Sequence, residues 1–198
     1  MKVTNDKTVM KKVLKELDEL DRYSLQIGLF SEDNSFIQMI AGVNEFGLTI
    51  RPKGKYLTIP TAEAGDRRAR EIPGLFRPKG KNILATSGPN GKLTVMFYLK
   101  TEVTIPERSF LRSTFDEKNG KWYDFFDGWI DDITAGALSA SDVYNRLGAL
   151  IASDIQTAIK NMYEPSNAPA TVARKGTNNP LISDGTMRQK VTWKVMKK

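Results

Sequence analysis

Neither cysteine nor histidine occurs anywhere in the 198 residues. That excludes disulfides, thiolate and imidazole metal sites, cysteine nucleophiles and any Ser-His-Asp arrangement. Carboxylate, lysine, tyrosine and serine chemistry remain, without the side chain most often used for general acid–base work. Gly-rich phosphate loops of the GxxxxGK[ST] or GxGxxG kind are missing too, so nothing in the sequence supports nucleotide binding. The expectation is a protein that is not an enzyme and holds no cofactor or metal. No apolar run approaches the roughly 18 residues that span a bilayer, so no membrane partner is expected. The opening stretch MKVTNDKTVMKKVLKELDEL carries acids and no apolar core, which predicts no signal peptide and makes the cytoplasm of the producing cell the default compartment.

What is present is ordinary for a soluble globular chain: 40% hydrophobic and 27% charged residues. The length fits one domain with an elaboration, able to bury roughly 70% of its unfolded surface. The net charge is +7 and the sequence pI about 9.5. Such a balance suits nucleic acid or an acidic protein surface, and equally well serves solubility alone.

Thr4 or Asn5 can cap a first helix, in which Val9, Val13, Leu14, Leu17 and Leu20 recur every three or four residues. Tyr23, Leu25, Ile27 and Leu29 then alternate with smaller or polar residues as a half-buried strand. A turn at Ser31–Asn34 precedes a short helix from Phe36 to Phe46, with Gly47 where a helix-terminating glycine belongs. Strands are expected at 56–60, 81–86, 92–100 and 102–106, and Asn90-Gly91 marks a hairpin turn. RPKGK occurs twice, at 51–55 and 77–81, each time before a strand. Two basic, glycine-containing turns can grip phosphates, and they are also good exposed turns with charged shoulders. The second reading is favoured.

Helices are expected at Ser109–Lys118 and Lys121–Ile133. The longest should start near Ser139 or Ser141 and run through Leu147, Ile151, Ile155 and Ile159 towards Pro165. A polar tail follows, then a one-turn helix capped by Ser183 or Asp184 and a last strand through Val191, Trp193 and Val195. The order predicts one α+β domain over 1–198. In it a mostly antiparallel sheet is packed by the N-terminal helix and the long helix of the C-terminal half. A β-rich insertion arm falls at about 52–104 and a polar loop at about 164–179.

Asp124, Asp127, Asp131 and Asp132 resemble a carboxylate cluster, but their helical spacing reads more simply as a solvated face. Trp122, Tyr123, Phe125, Phe126 and Trp129 lie among acids rather than cations, which favours core packing over base stacking. Arg108 and Arg112 suit either a partner surface or local pairing with Glu107 or Asp116, and the spacing does not choose between them.

Three motifs taken together resemble the tail-completion, or head–tail joining, family of long-tailed phages. The first is Val43-Asn44-Glu45-Phe46-Gly47. The second is Ile105-Pro106-Glu107-Arg108-Ser109-Phe110-Leu111-Arg112. The third is Asn179-Pro180-Leu181-Ile182-Ser183-Asp184-Gly185-Thr186-Met187-Arg188, followed by a terminal strand; Asn167-Ala168-Pro169, Thr171 and Lys175-Gly176 resemble the segment before it. Ser183-Asp184-Gly185 departs from the family's D-T-G, and the 52–104 segment is longer than in compact members.

The resemblance implies a structural virion protein that completes the tail and joins it to the head at the neck, as a ring, most simply a hexamer. Its partners would be other copies, neighbouring neck or connector proteins, and tail-tube or tail-terminator proteins, with DNA passing through the lumen. Glu45, Arg108, Phe110, Arg112, Asp184, Met187 and Arg188 are the candidate interface residues it implies. Phe110 would anchor in the core, and Arg108 would point to a neighbouring subunit or to Glu45. Arg51, Lys53, Lys55, Arg77, Lys79 and Lys81 are candidate basic contacts to acidic neighbours or to DNA. Competing expectations are another phage component, such as a tail terminator or minor capsid protein, and a basic DNA-binding module.

Overall fold

The structure, a computed structural model, describes residues 7–198. In chain order its elements are α1 (Lys7–Arg22), β1 (Tyr23–Gly28), α2 (Ser31–Phe46), β2 (Leu48–Ile50), β3 (Leu57–Pro60), β4 (Ile83–Ser87), β5 (Leu93–Lys100), β6 (Val103–Ile105), α3 (Phe110–Thr134), α4 (Ala140–Asn161), α5 (Pro169–Lys175), α6 (Thr186–Gln189) and β7 (Thr192–Lys197). Every strand pairing is antiparallel, and the class is α+β. The strands form three small sheets, β1-β7, β2-β6 and β3-β5-β4. The chain, read from sequence as one domain, separates into two compact units.

The first unit comprises Met1–Ala41, Ser109–Asn161 and Asp184–Lys198. The expected caps at Thr4 and Asn5 lie outside the described residues. Within α2, Asn34 leaves helical geometry and its Oδ1 accepts from the Ile37 N–H at 3.0 Å. The element is thus broken at Asn34, where the turn was expected, and Asn34 caps the helix that follows. α3 runs unbroken through Asn119-Gly120, where two helices were expected, and at 25 residues it is longer than α4 at 22. One interior glycine costs a helix only about 1 kcal/mol, less than a 25-residue helix with a buried face gains by continuing.

α4 begins where expected. Ser139 Oγ accepts from the Asp142 N–H at 3.1 Å, and Asp142 Oδ2 accepts from the Ser139 N–H at 3.0 Å, a reciprocal cap. Its buried stripe of Val143, Ile151, Ile155 and Ile159 forms the interior with Trp122 and Ile133 of α3 and Met187 of α6. β1 and β7 pair from Tyr23↔Lys197 to Gly28↔Thr192. The Tyr144 hydroxyl donates to the carbonyls of Leu20 and Tyr23 at 2.8 and 3.2 Å, tying α4 to the end of α1.

The second unit comprises Gly42–Arg108 and Met162–Ser183. Residues 52–104, expected as an arm, fold around their own small core of Ala64, Ile72, Met96 and Phe97. The hairpin between β4 and β5 turns at Asn90 and Gly91, both at positive φ (66° and 72°), as the Asn-Gly pair predicts. β2 is only three residues long and has no periodic signal to announce it. The stretch expected as a polar loop contains α5, started by Pro169 and ended by Gly176 in the left-handed region.

Candidate interaction surfaces

Arg108 holds the second unit's polar interior together. It is only 5% exposed. Its Nε donates to the Pro165 carbonyl at 2.7 Å, Nη1 to Asn44 Oδ1 at 3.1 Å and Nη2 to the Ser166 carbonyl at 3.1 Å. The Arg108 N–H donates to the Asn44 carbonyl at 2.6 Å. Burial lowers the pKa of this guanidinium, and the charge of Glu164 opposes that shift. Close by, Lys175 donates to the carbonyls of Asn179 and Pro180 at 2.9 and 3.3 Å. Burial lowers its pKa, and the positive Arg108 lowers it further. Asn179 Oδ1 in turn accepts from the N–H groups of Leu181 and Ile182 at 2.9 and 3.0 Å.

Gly47 ends α2 at φ 69°, and a β-carbon there would lie 2.9 Å from the Glu107 nitrogen. Two requirements thus demand glycine at one position, the left-handed turn and the close approach of the next strand. β2 then pairs with β6 from Leu48↔Ile105 to Ile50↔Val103. The segment Val43–Gly47, the segment Ile105–Arg108 and the loop leading into Asn179–Ile182 therefore meet around one arginine.

The basic turns have a different placement. β3 and β4 both run antiparallel to the central β5, so both enter the sheet at the same end, where β5 leaves it. Each is preceded by an RPKGK turn, and Lys100 stands at the exit of β5 opposite Leu57. Tyr56 joins the two turns: the Arg77 Cζ lies 4.8 Å and the Lys55 Nζ 5.6 Å from its ring centroid. Arg77 is fixed further by donating from Nε to the Lys81 carbonyl and from Nη2 to Asn82 Oδ1, both at 2.9 Å. The two repeats differ in backbone. Gly80 takes a positive φ of 75° in a turn closed by Lys81 N–H to the Pro78 carbonyl, whereas Gly54 is not among the positive-φ glycines. Lys53, Lys55, Lys79 and Lys81 are exposed, and Arg51 pairs with Glu102 at 3.4 Å.

The first unit carries an apolar groove of about 520 Å³ between α3 and α4, floored by Leu25 and Ile27 of β1. Phe115, Trp122, Tyr123 and Phe126 line its α3 side. Trp122 is buried and donates from Nε1 to Asp154 Oδ2 at 2.7 Å. Phe115 is more than half exposed, and so are Tyr123 and Phe125, which corrects the expectation of core packing for those two members of the 122–129 aromatic run. In α1 no residue is fully buried: Val13, Leu17 and Leu20 of its apolar stripe are half-buried, while Val9 and Leu14 of the stripe, with Met10, are open to solvent.

The candidate interface residues divide by burial. Glu45, Arg108, Phe110 and Met187 are interior, with Phe110 fully buried as expected of an anchor, so as placed they support the fold instead of presenting themselves to a partner. Arg108 reaches Asn44, Pro165 and Ser166 within its own unit, where a neighbouring subunit or Glu45 was expected. Arg112 is exposed and lines the groove, Arg188 is half-buried, and Asp184 is exposed. Asp184 accepts from the Thr186 N–H and hydroxyl at 2.9 and 2.7 Å, and these bonds hold its carboxyl below the usual range. Asp124, Asp127 and Asp131 are exposed along α3, and no group of three potential metal ligands occurs among the described residues. Periodicity found the apolar stripes but carried no signal for the groove, since it does not tell which stripe is left uncovered. No family model, curated protein or solved structure matches the chain.

Proposed function

We propose that this chain is a structural virion protein of a tailed bacteriophage, one that completes the tail and joins it to the head through a ring, most simply of six copies. The observation that carries the reading is the meeting of the resemblance motifs at Arg108. Residues of the first and second motifs bond directly through Asn44 and Arg108, and Lys175, in the segment before the third motif, lies near enough to feel the charge of Arg108 and itself bonds to the Asn179 carbonyl. Motifs that recur together in a family for structural reasons are expected to form one framework, and the buried polar bonds between the first two support that expectation.

The uncovered apolar surfaces of the first unit support assembly as the task. Val9, Met10 and Leu14 on the open side of α1, and the aromatic groove between α3 and α4, are apolar surfaces of the kind that mark association sites. Repeated around a closed ring, even modest contacts of this kind add up, because each copy is held on two sides. Neighbouring neck, connector or tail-terminator proteins would take the ring's two faces, and no reaction is part of the role.

Sedimentation velocity over a wide concentration range tests the self-association directly. The expected result is a discrete closed oligomer that Val9→Asp with Leu14→Asp dissociates into folded monomers. A chain that stays monomeric at every concentration, and is not recruited by tails either, contradicts the reading.

A further inference from the structure

The net charge is not spread over the molecule. The second unit, 42–108 with 162–183, holds 14 Lys and Arg against seven Asp and Glu, while the remaining segments hold 16 of each. One unit therefore carries all of the +7 and the other is neutral. Charge needed only for solubility has no reason to segregate in this way.

Within the second unit the topology gathers cations further. Lys53, Lys55, Arg77, Lys79, Lys81 and Lys100 stand at one end of the β3-β5-β4 sheet, and Tyr56 orders Lys55 and Arg77 over its ring. Arg51 is there as well, paired with Glu102. We propose that this end of the sheet binds the phosphodiester backbone of double-stranded nucleic acid, without reading its sequence.

The composition of the surface favours this partner over an acidic protein. Protein interfaces are depleted of lysine and centre on apolar or aromatic anchors. Five of the six gathered cations are lysines on exposed turns and strand ends, which serve phosphates as point charges. The turns place these charges side by side, in line with a polymer presenting one charge per roughly 1.7 Å of duplex axis. Contacts to phosphate position a protein on a duplex and carry no sequence information, which is the kind of contact such point charges make. The inference goes beyond the assembly role and stands without it.

The test is fluorescence anisotropy of the full chain with a labelled 30-base-pair duplex of random sequence, titrated at several salt concentrations. Affinity should fall with salt at a log–log slope of about −4, corresponding to roughly four to five phosphates neutralised. Changing Lys53, Lys55, Lys79 and Lys81 to Gln should cut affinity at least tenfold and bring the slope to about −1. Changing Lys121, Lys190, Lys197 and Lys198 of the neutral unit to Gln removes the same charge and should leave the slope within about one of the original. Equal losses from the two quadruple variants would overturn the proposal in favour of bulk charge. Polyglutamate that displaces the duplex at equal charge concentration would overturn it in favour of an acidic protein partner.

Discussion

At the scale of single residues, Arg108 decides more than any other side chain. It is buried and makes three side-chain bonds, two of them to backbone carbonyls 57 and 58 positions along the chain. Removing it strands the Pro165 and Ser166 carbonyls without a donor. Arg108→Ala is expected to cost on the order of 3 kcal/mol, read as a lowered urea midpoint. Arg108→Lys keeps the charge but loses the fork and should fall between the two.

The resemblance singles out Arg108 and Phe110, and the anchoring of Phe110 in the core that it implies agrees with the residue's full burial. The partners of Arg108 were not legible. They depend on where the chain returns after α4, which no local pattern encodes. Glu45 shows the same limit: a charged residue before an aromatic reads as surface, yet it is 2% exposed.

Among the elements, α3 is the clearest case of tertiary packing overriding a local break. Its Gly120 lies in the helix interior with open space where a β-carbon would stand, and its φ is ordinary. Gly120→Ala is therefore expected to raise stability by about 0.5–1 kcal/mol, seen as a higher melting temperature.

The start of α4 carries a pH dependence. Ser139 donates to Asp142 from both its hydroxyl and its N–H, and these bonds hold the Asp142 carboxyl below its ordinary value. A depressed folded-state pKa stabilises the fold at pH above the unfolded value near 3.9, and that stabilisation is lost as pH falls through the depressed value. The gap in melting temperature between the native chain and Asp142→Ala should be full at pH 7 and close progressively below about pH 4. Capping residues and 3.6-residue periodicity made α1, α4 and the β4–β5 hairpin readable. β2 and α5 were too short to show a period, and α5 is fixed by Pro169 and Gly176, which also punctuate loops.

For the whole molecule, two facts matter that no sequence window shows. One is that the net basic charge belongs entirely to one unit, which becomes visible only once the chain's division into two units is known. The other is that Val9, Met10 and Leu14 of α1 and the α3–α4 groove are left open among the described residues. Amphipathic periodicity announces an apolar face but not what lies against it; in the proposed function that place is taken by other copies of the chain and by neighbouring virion proteins. The most direct test of that claim is negative-stain electron microscopy of the purified protein, alone and mixed with isolated tails. Six-fold rings, or new density capping the head-proximal end of the tail, are the expected result. Featureless monomers that leave both tails and capsids bare would contradict it.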